Sequence, residues 1–555
     1  MSHSRHPDPV RWRRDFPLLS QRVHGQPLVY LDNAATTQKP RAVIDAVSRF
    51  YKTANANVHR GSHALSAQAT TAFEQARSTL AHWLGLDDPA CLIWTRGTTE
   101  AINLVAQSWG RRQLRAGDLI LLLQSAHHAN IVPWQLVADA TGARIEVIPL
   151  CDNGDLDLNA YERLLLQKPR LIALSHVSNA LGTRYPVEQL CRLGRDAGAV
   201  TLVDGAQALP HFDIDLTRLG CDFYAFSGHK LFGPSGIGAL WGRRELLEQM
   251  PPWQGGGEMI RDVSFSGTTY ADLPFRFEAG TPNIEGAIGL AAAIDYLQQQ
   301  DRHAMQQHEA ALLQHARDCC SRLKGFRELP AGSDRVSLLS FELDGFHQQD
   351  VAHWLDRHGI AIRAGHHCAM PLMQSLGLPG SLRASFAFYN RLDEAEQLAS
   401  CLDQLIHSQA SSATVAFIEQ KTSQNLIERV YSATDWNARY QALMHIGQSL
   451  PGLPDAFKQD CYRLHGCESR VWLVPALDDT GRLACQADAD ARILRALLAL
   501  LLDRINGLTP AELLSTDLGA VLDQLDIRRH LSPSRGNGVT AIIQAIEAFA
   551  RDPRG

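Results

Sequence analysis

Residues 199–209 read "AVTLVDGAQAL", a short apolar run that ends at an acidic side chain, Asp204. Similar apolar runs come before it and alternate with amphipathic stretches of roughly 10 to 15 residues. The clearest are "LILLLQ" (119–124), "RIEVIPL" (144–150) and "RLIALSHV" (170–177). Buried parallel strands joined by crossover helices produce this pattern. The sequence therefore predicts an open α/β sheet within about residues 28–295, with ligand-binding groups at the carboxyl ends of its strands.

The bulk properties limit the class of protein. A chain of 555 residues is too long for one ordinary domain, and its formal net charge of -6 argues against a binder of nucleic acid or anionic membranes. The N-terminus has no apolar segment typical of a secretory signal, so we expect a cytoplasmic location. The most apolar run, "ILRALLALLLDRI" (493–505), is too short to span a bilayer and carries Arg495 and Asp503. We interpret it as a core helix.

Cysteine usage fits a reducing compartment. The 11 cysteines are odd in number and form no C-x-x-C pair, so neither a disulfide framework nor a zinc ribbon is expected. The only adjacent pair, Cys319 and Cys320, is poorly placed to form a bridge. We expect most of these thiols to be small buried side chains.

Beyond the first sheet the pattern changes twice. "VSLLSFELDG" (336–345) predicts a strand, "QDVAHWLDRHG" (349–359) a helix and "IAIRAG" (360–365) another strand. We expect a smaller α+β domain of about residues 1–27 plus 296–405. The small polar stretch "HSQASSATVAF" (407–417) indicates a linker over 406–422. A third domain, 423–555, is expected to be α+β, with a strand near "SRVWLVPAL" (469–477).

The next strand end after Asp204 carries a lysine. In "YAFSGHKLFGPSGIGAL" (224–240), Lys230 follows an apolar strand and lies among small residues. A solvated surface lysine is the alternative interpretation of this stretch alone. However, an aspartate and a lysine at neighbouring strand ends are what pyridoxal 5'-phosphate (PLP) requires, because the lysine binds its aldehyde and the carboxylate keeps its pyridine nitrogen protonated.

Two other segments could complete such a site. "TRGTTEAINLVAQSW" (95–109) places Thr98 and Thr99 at the start of a helical pattern, where the helix dipole favours a phosphate. An ordinary threonine N-cap is the alternative. "HHANIVPW" (127–134) offers two imidazoles after the strand 119–124, of which a ring could lie against the cofactor. A structural histidine is the alternative there.

These segments resemble the PLP-dependent enzymes of fold type I in aminotransferase class V, and within it the group II cysteine desulfurases of the Suf/Csd type. The resemblance covers residues 10–405. It is carried by "YLDNAATTQKP", "NVHRGSHALS", "TRGTTEAINLVA", "HHANIVPWQ", "HVSNALGT", "VDGAQA", "FSGHKLFGPSGIG", "RFEAGTPN" and "RAGHHCAMP". Where the family often has an acidic residue before the paired histidines, this chain has Ser125 and Ala126.

The resemblance implies a role for each site residue. Lys230 would carry PLP, with Asp204 on the pyridine nitrogen, Gln207 on the phenolic oxygen and His127 stacked on the ring. The substrate carboxylate would be held by Asn179 and Arg383. The implied phosphate ligands are Thr98, Thr99, Ser227, His229 and, from the neighbouring subunit of a homodimer, Thr281.

Cys368 lies in "AIRAGHHCAMPLM" (361–373), directly after His366 and His367. This run lacks the two separated ligand pairs of a zinc site. A buried structural cysteine remains the alternative to a nucleophile. The resemblance implies the nucleophile: Cys368 takes the sulfur of L-cysteine as a persulfide and L-alanine is released. Nearby imidazoles are expected to favour the thiolate.

The third domain resembles SufE-type sulfur acceptors in "WNARYQALMHIGQSLPGLP", "HGCESRVWL", "ADADARILRALLALLL" and "LSPSRGNGVTAI". Cys467 falls on the acceptor cysteine, and Asp490 and Arg535 on polar positions near it. The resemblance thus implies a desulfurase fused to its acceptor, supplying sulfur to iron–sulfur scaffold proteins. Two alternatives stay open: a selenocysteine lyase, and a non-catalytic sulfur-carrier or scaffold-binding protein.

Overall fold

The computed structural model describes residues 9–415, 430, 436–464, 469–520 and 533–552. Its contacts divide the chain into two units. The first comprises Met1–Asp344 and Leu355–Asp403, and the second comprises Gly345–Trp354 and Gln404–Gly555.

A seven-stranded sheet forms the centre of the first unit. Its strands are β1 (Leu92–Thr95), β2 (Leu119–Leu123), β3 (Arg144–Ile148), β4 (Leu171–Ser175), β5 (Val200–Asp204), β6 (Phe223–Ser227) and β7 (Gly238–Gly242). Their order across the sheet is β1-β7-β6-β5-β4-β2-β3. Most strand residues are buried, because helices cover both faces. The predicted α/β sheet is confirmed, and β2 to β5 correspond to the four apolar runs of the sequence.

One strand departs from the predicted parallel arrangement. Strand β7 pairs antiparallel with both β1 and β6. Only residues 231–237 connect Lys230 to β7. A parallel connection needs a crossover of about a dozen residues or more, so this short segment can only return the chain in the opposite direction.

The remaining parallel strands align their carboxyl ends. In register, Ser175 pairs with Asp204 and Asp204 pairs with Ala225. Residues that follow β2, β4, β5 and β6 therefore meet at one edge of the sheet. This edge is where the candidate site lies.

Helices surround this sheet, and the small four-stranded sheet lies in the same unit. The small sheet contains Phe326–Glu328, Leu338–Leu343, Ser381–Ser385 and Arg363–Gly365 in that order, all antiparallel. The short strand Ile360–Ala361 pairs instead with Val29–Tyr30. The longer helices that lie wholly in the first unit are Pro9–Arg14, Arg41–Thr53, Ala64–Trp83, Thr98–Val105, Val132–Thr141, Leu158–Leu165, Val187–Asp196, Arg244–Gln249, Ile284–Gln298, Arg302–Cys320 and Met370–Ser375. The helices Gln348–Arg357 and Leu392–Val415 have residues in both units.

The second unit has its own core. Three antiparallel strands, Arg463–Leu464, Val471–Val474 and Gln486–Ala489, pack with helices. These helices are Trp436–Ser449, Arg492–Ile505, Pro510–Leu514 and Pro533–Arg551. The run 493–505 is the predicted core helix, and ten of its side chains are buried. Among the described residues, no helix is long and apolar enough to cross a bilayer.

The first part of the predicted linker is helical. The helix Leu392–Val415 continues through residues 406–415, which the sequence pattern assigned to the linker. Extending an existing helix needs no new nucleation, and alanine and glutamine are good helix formers, so a small polar sequence can continue it. Residues 416–422 of the predicted linker lie outside the described residues.

Candidate active site

One cavity collects most of the residues singled out in the sequence. It has a volume of about 190 Å³ and lies at the carboxyl edge of the large sheet. The predicted site residues that line it are Thr98, Thr99, His127, Asn179, Asp204, Gln207, Ser227, His229, Lys230, Cys368 and Arg383. Segments scattered from residue 98 to residue 383 are thus brought to one place.

Lys230 and Asp204 form the electrostatic centre of this cavity. Burial lowers the pKa of the Lys230 amine to about 8, while the negative charge of Asp204 acts in the opposite direction. Burial also raises the pKa of Asp204, which Lys230 opposes. Asp204 Oδ1 accepts a hydrogen bond from the Ala206 N–H at 3.0 Å, which orients the carboxylate at the end of β5. The amine can therefore lose its proton near neutral pH.

The turn that carries Lys230 is held by the segment "NAATTQKP". The carbonyl of His229, one residue before Lys230, accepts hydrogen bonds from Lys39 Nζ at 2.8 Å, Thr36 Oγ1 at 3.0 Å and the Thr37 N–H at 3.1 Å. Burial lowers the pKa of Lys39 to about 7. The resemblance included this segment, but the sequence alone did not show that it positions the lysine turn.

The first turn of the helix Thr98–Val105 forms a cradle for an anion. The Thr98 N–H donates to Ser227 Oγ at 2.8 Å, and the two hydroxyls lie 2.7 Å apart. Gly97 has φ +152°, and a Cβ there would lie 3.0 Å from Ser227 Oγ, so a side chain would crowd this corner. The N–H groups at the start of a helix and the helix dipole favour a negative group at this position.

His127 and Gln207 both line the cavity. His127 Nδ1 accepts from the Ala129 N–H at 3.0 Å, which fixes the ring after β2. Burial, aided by the charge of Lys230, lowers the pKa of His127 to about 3. Its ring is therefore uncharged at neutral pH. Gln207 Nε2 donates to the Ala34 carbonyl at 2.7 Å.

The loop that carries Cys368 has an unusual backbone. His367 and Cys368 have φ of +53° and +55°, a left-handed conformation that residues other than glycine rarely adopt. The Cys368 carbonyl accepts from the His128 N–H at 2.8 Å, and Asn179 Nδ2 donates to the His367 carbonyl. Cys368 is half-buried beside the cavity. Hydrogen bonds to two backbone carbonyls therefore hold this loop in place.

Three imidazoles near Cys368 do not supply the positive charge that was expected to favour a thiolate. Burial lowers the pKa of His127, His128 and His367, so these imidazoles carry no positive charge at neutral pH. The positive charges beside Cys368 belong to Lys230 and Arg383, whose pKa values are lowered by burial and, to a smaller extent, raised by the charge of Cys368. Lys230 and Arg383 are therefore close enough to interact electrostatically with Cys368.

Arg383 is fixed by two oxygens, and a second arginine lies beside it. Arg383 Nη1 donates to the Asn179 carbonyl at 2.8 Å, and Nη2 donates to Asp32 Oδ1 at 3.1 Å. Its Nε is buried without a partner among the described atoms. Arg363, which sequence reasoning missed, pairs with Arg383 across the small sheet and also lines the cavity. The motif "RAGHHCAMP" contained it, but only the strand register shows that both arginines face one site.

Other predicted residues lie outside this cavity. Thr281 lines a separate cavity of about 320 Å³ in the same unit. Cys467 lies outside the described residues, between the strands Arg463–Leu464 and Val471–Val474 in the sequence. Asp490 accepts a hydrogen bond from Arg470 Nε at 3.2 Å. Arg535 belongs to the helix Pro533–Arg551, but its side chain is not described.

The chain is similar in sequence and in fold to known cysteine desulfurases. A probable cysteine desulfurase of Vibrio cholerae serotype O1 is 50% identical over 394 residues, which are 71% of this chain and 97% of that protein. The crystal structure of the Escherichia coli cysteine desulfurase CsdA, in an S-sulfonic acid form, is 42% identical, with a TM-score of 0.68. The match covers 72% of this chain and 98% of CsdA.

A more distant structure shares only the fold. It is a C-DES mutant in which glycine is covalently linked to the PLP cofactor of that protein, and it is 24% identical with a TM-score of 0.61. The alignment covers 70% of this chain and 98% of the other.

A lysine and a carboxylate at the carboxyl edge of a mostly parallel sheet are the groups that PLP needs in the transferases of PLP fold type I. Residues 29–398 match the family model described as aminotransferase class-V. The chain belongs to this family. Residues 424–550 match SufE, described as an Fe-S metabolism associated domain, so the chain combines the two. The family resemblance expected from the motifs is confirmed.

Proposed function

We propose that this chain is a cysteine desulfurase, which removes sulfur from L-cysteine, releases L-alanine and passes the sulfur from Cys368 to Cys467. One observation carries the proposal: Lys230 and Cys368 line the same cavity as Arg383. The amine can remove a proton, the thiol can take up sulfur and the guanidinium can bind a carboxylate. The names of the relatives support the same activity.

The cavity residues fit PLP. Lys230 would hold its aldehyde carbon, Asp204 its pyridine nitrogen, Gln207 its phenolic oxygen, and the uncharged His127 ring would lie against it. The crowded corner at Gly97 suits its phosphate, with Thr98, Thr99, Ser227 and His229 as ligands. Thr281, in its separate cavity, would reach the phosphate only in a second copy of a homodimer. When bound, PLP supplies an electron sink beside the α-carbon of the substrate.

Arg383 is proposed to bind the substrate carboxylate. Its side chain is buried and already fixed by Asp32 and Asn179, so little rotational freedom would be lost on binding. The Asn179 amide is committed to the His367 carbonyl. We therefore propose that Asn179 links the carboxylate site to the Cys368 loop as well as contacting substrate.

Lys230 and Cys368 are proposed to move the proton and the sulfur. Lys230, with its pKa of about 8, would take the α-proton from L-cysteine. The Cys368 thiolate would then attack the sulfur of the substrate. An S–S bond forms and the C–S bond breaks. The carbon that loses sulfur takes up a proton, and Lys230 would return the proton to the α-carbon to give L-alanine. Cys368 is left as a persulfide.

The acceptor domain would take over this sulfur. The Cys467 thiolate would attack the outer sulfur of the Cys368 persulfide, and Cys368 would leave as a thiolate. The SufE match supports delivery onward to iron–sulfur scaffold proteins. We further propose that the chain acts as a homodimer in the cytoplasm.

Arg383→Lys is expected to raise KM for L-cysteine by about 10- to 100-fold with a smaller change in kcat. A lysine cannot form the planar two-point contact with a carboxylate, and hydrogen bonds to charged groups contribute about 1.5–3 kcal/mol. Steady-state alanine formation measures this. Arg192→Lys, at an exposed helix position, is the matched control and should stay within the error of wild type. An unchanged KM in Arg383→Lys would contradict the proposed carboxylate site.

The test of the proposed function is mass spectrometry after L-cysteine is added. We expect one extra sulfur first on Cys368 and then on Cys467. In Cys467→Ser, sulfur should accumulate on Cys368, and turnover should fall about tenfold or more, because the persulfide must leave by another route. Cys461→Ser replaces an exposed thiol of the same domain and should behave as wild type. Sulfur that never reaches Cys368 would refute the proposed function.

A further inference from the structure

The two adjacent histidines of "HHANIVPW" have different surroundings. His127 lines the cavity, whereas His128 does not and contacts the loop that carries Cys368. The role implied by the resemblance used only His127. The function proposed above therefore gives His128 no task.

His128 contacts the Cys368 loop at two points. Its backbone N–H donates to the Cys368 carbonyl at 2.8 Å. Its ring Nε2 accepts a hydrogen bond from the Met370 N–H at 3.0 Å. Nε2 must therefore be unprotonated, which agrees with the lowered pKa of His128 that results from burial and from the nearby His366. The two contacts flank Ala369 and connect the loop to the end of β2.

The backbone of this loop explains why such contacts matter. His367 and Cys368 are consecutive residues with positive φ, and neither is a glycine. A backbone of this kind persists only where surrounding contacts hold it. The Met370 N–H is also the start of the helix Met370–Ser375, where N–H groups have no partner within the helix. The His128 ring supplies that partner.

We propose that His128 is a positioning residue that holds the Cys368 thiol at the cavity through the hydrogen bond between its ring and the Met370 N–H. The expected effect of His128 on turnover rests on the proposed function. Whether its hydrogen bond holds the Cys368 loop can be tested without turnover. His127 faces the cofactor site and His128 holds the thiol loop. His127 thus serves the cofactor, and His128 serves the Cys368 thiol.

The first measurement uses the purified protein without L-cysteine. In His128→Ala we expect iodoacetamide to alkylate Cys368 several-fold faster than in wild type, because the loop loses one of its two connections to β2. Mass spectrometry of the Cys368 peptide reports the rate. Met370→Ala is the matched control, since it removes an exposed side chain and keeps the N–H that forms the bond. An unchanged alkylation rate in His128→Ala would overturn the proposal.

The second measurement separates the thiol from the cofactor chemistry in the holoenzyme. In His128→Ala we expect alanine formation from L-cysteine to fall by about 10- to 100-fold, the effect of a small misplacement of a reacting group. Exchange of the α-hydrogen of L-alanine in D2O needs no thiol and should remain within about twofold of wild type. His128→Gln, whose side-chain oxygen can accept from the Met370 N–H, should recover most of the lost rate.

The outcomes are distinct. Equal losses in α-hydrogen exchange and alanine formation would place His128 with the cofactor and overturn the proposal. Failure of His128→Gln to exceed His128→Ala, with both proteins folded by thermal unfolding, would also overturn it. If wild type forms no alanine, the proposed function fails, while the alkylation rates still decide whether His128 holds the loop.

Discussion

Lys230→Ala is expected to lower alanine formation from L-cysteine by about a thousandfold or more. Loss of a general base alone typically costs 10²- to 10⁴-fold, and this amine would also hold the cofactor. Lys230 is the only lysine among the described residues that line the cavity. Lys39 cannot replace it, because its amine is bound to the carbonyls of Thr37 and His229.

The electrostatics of the cavity explain why lysine is suited to this position. Burial brings the pKa of Lys230 to about 8, so a useful fraction of the amine is unprotonated near neutral pH. The negative charge of Asp204 raises the pKa of Lys230 and so limits how far burial lowers it. An arginine would keep the positive charge but would not lose its proton. Lys230→Arg should therefore be as inactive as Lys230→Ala.

Two measurements make the test specific. The visible absorbance of the bound cofactor should be absent or shifted in both variants, and thermal unfolding should show that both remain folded. Lys52→Ala removes an exposed lysine and should leave activity unchanged. Retention of more than a tenth of wild-type activity in Lys230→Ala would contradict the assignment of Lys230 as both cofactor anchor and base.

The sequence predicted much of the sheet because burial determines its pattern. Strands buried on both faces become continuous apolar runs, so β2 to β5 were identified with nearly correct ends. Strand direction is a different property. The apolar runs do not encode it, and the reversal of β7 follows from the short connection 231–237. The helical structure of residues 406–415 was not predicted, because a small polar composition resembles a linker even where it is helical.

Candidate site residues could be identified from the sequence where a reactive side chain directly follows a strand. Asp204 and Lys230 end or follow neighbouring strands, so topology alone brings them together. Arg363 was missed because it reaches the cavity through its pairing with Arg383 in another sheet. The uncharged state of His127 and His367 was also missed, because it depends on burial that no local pattern reveals.

Cys368→Ser is expected to lower alanine formation from L-cysteine by about a thousandfold, while exchange of the α-hydrogen of L-alanine continues. A serine hydroxyl is not ionised at neutral pH and is a poor nucleophile towards sulfur. The steps before sulfur removal use Lys230 and Arg383 and need no thiol. The variant should therefore separate the two halves of the reaction and leave no added sulfur at position 368 or on Cys467.

The surroundings of Cys368 make this residue the expected site of loading. Its carbonyl is held by His128, and the cations Lys230 and Arg383 lie near enough to attract a thiolate. Most other thiols of the described residues are buried away from the cavity, and Cys151 is exposed. Cys151→Ser is thus the matched control and should react as wild type.

The same experiment can be repeated with L-selenocysteine as the substrate. Release of selenium can proceed without attack by a protein thiol, so Cys368→Ser should lose activity on L-cysteine far more than on L-selenocysteine. Equal losses on both substrates would indicate that Cys368 shapes the cavity without taking up the sulfur. Full activity on L-cysteine in Cys368→Ser would show that the sulfur leaves by a route that does not involve this thiol, and the transfer to Cys467 would then lack its donor.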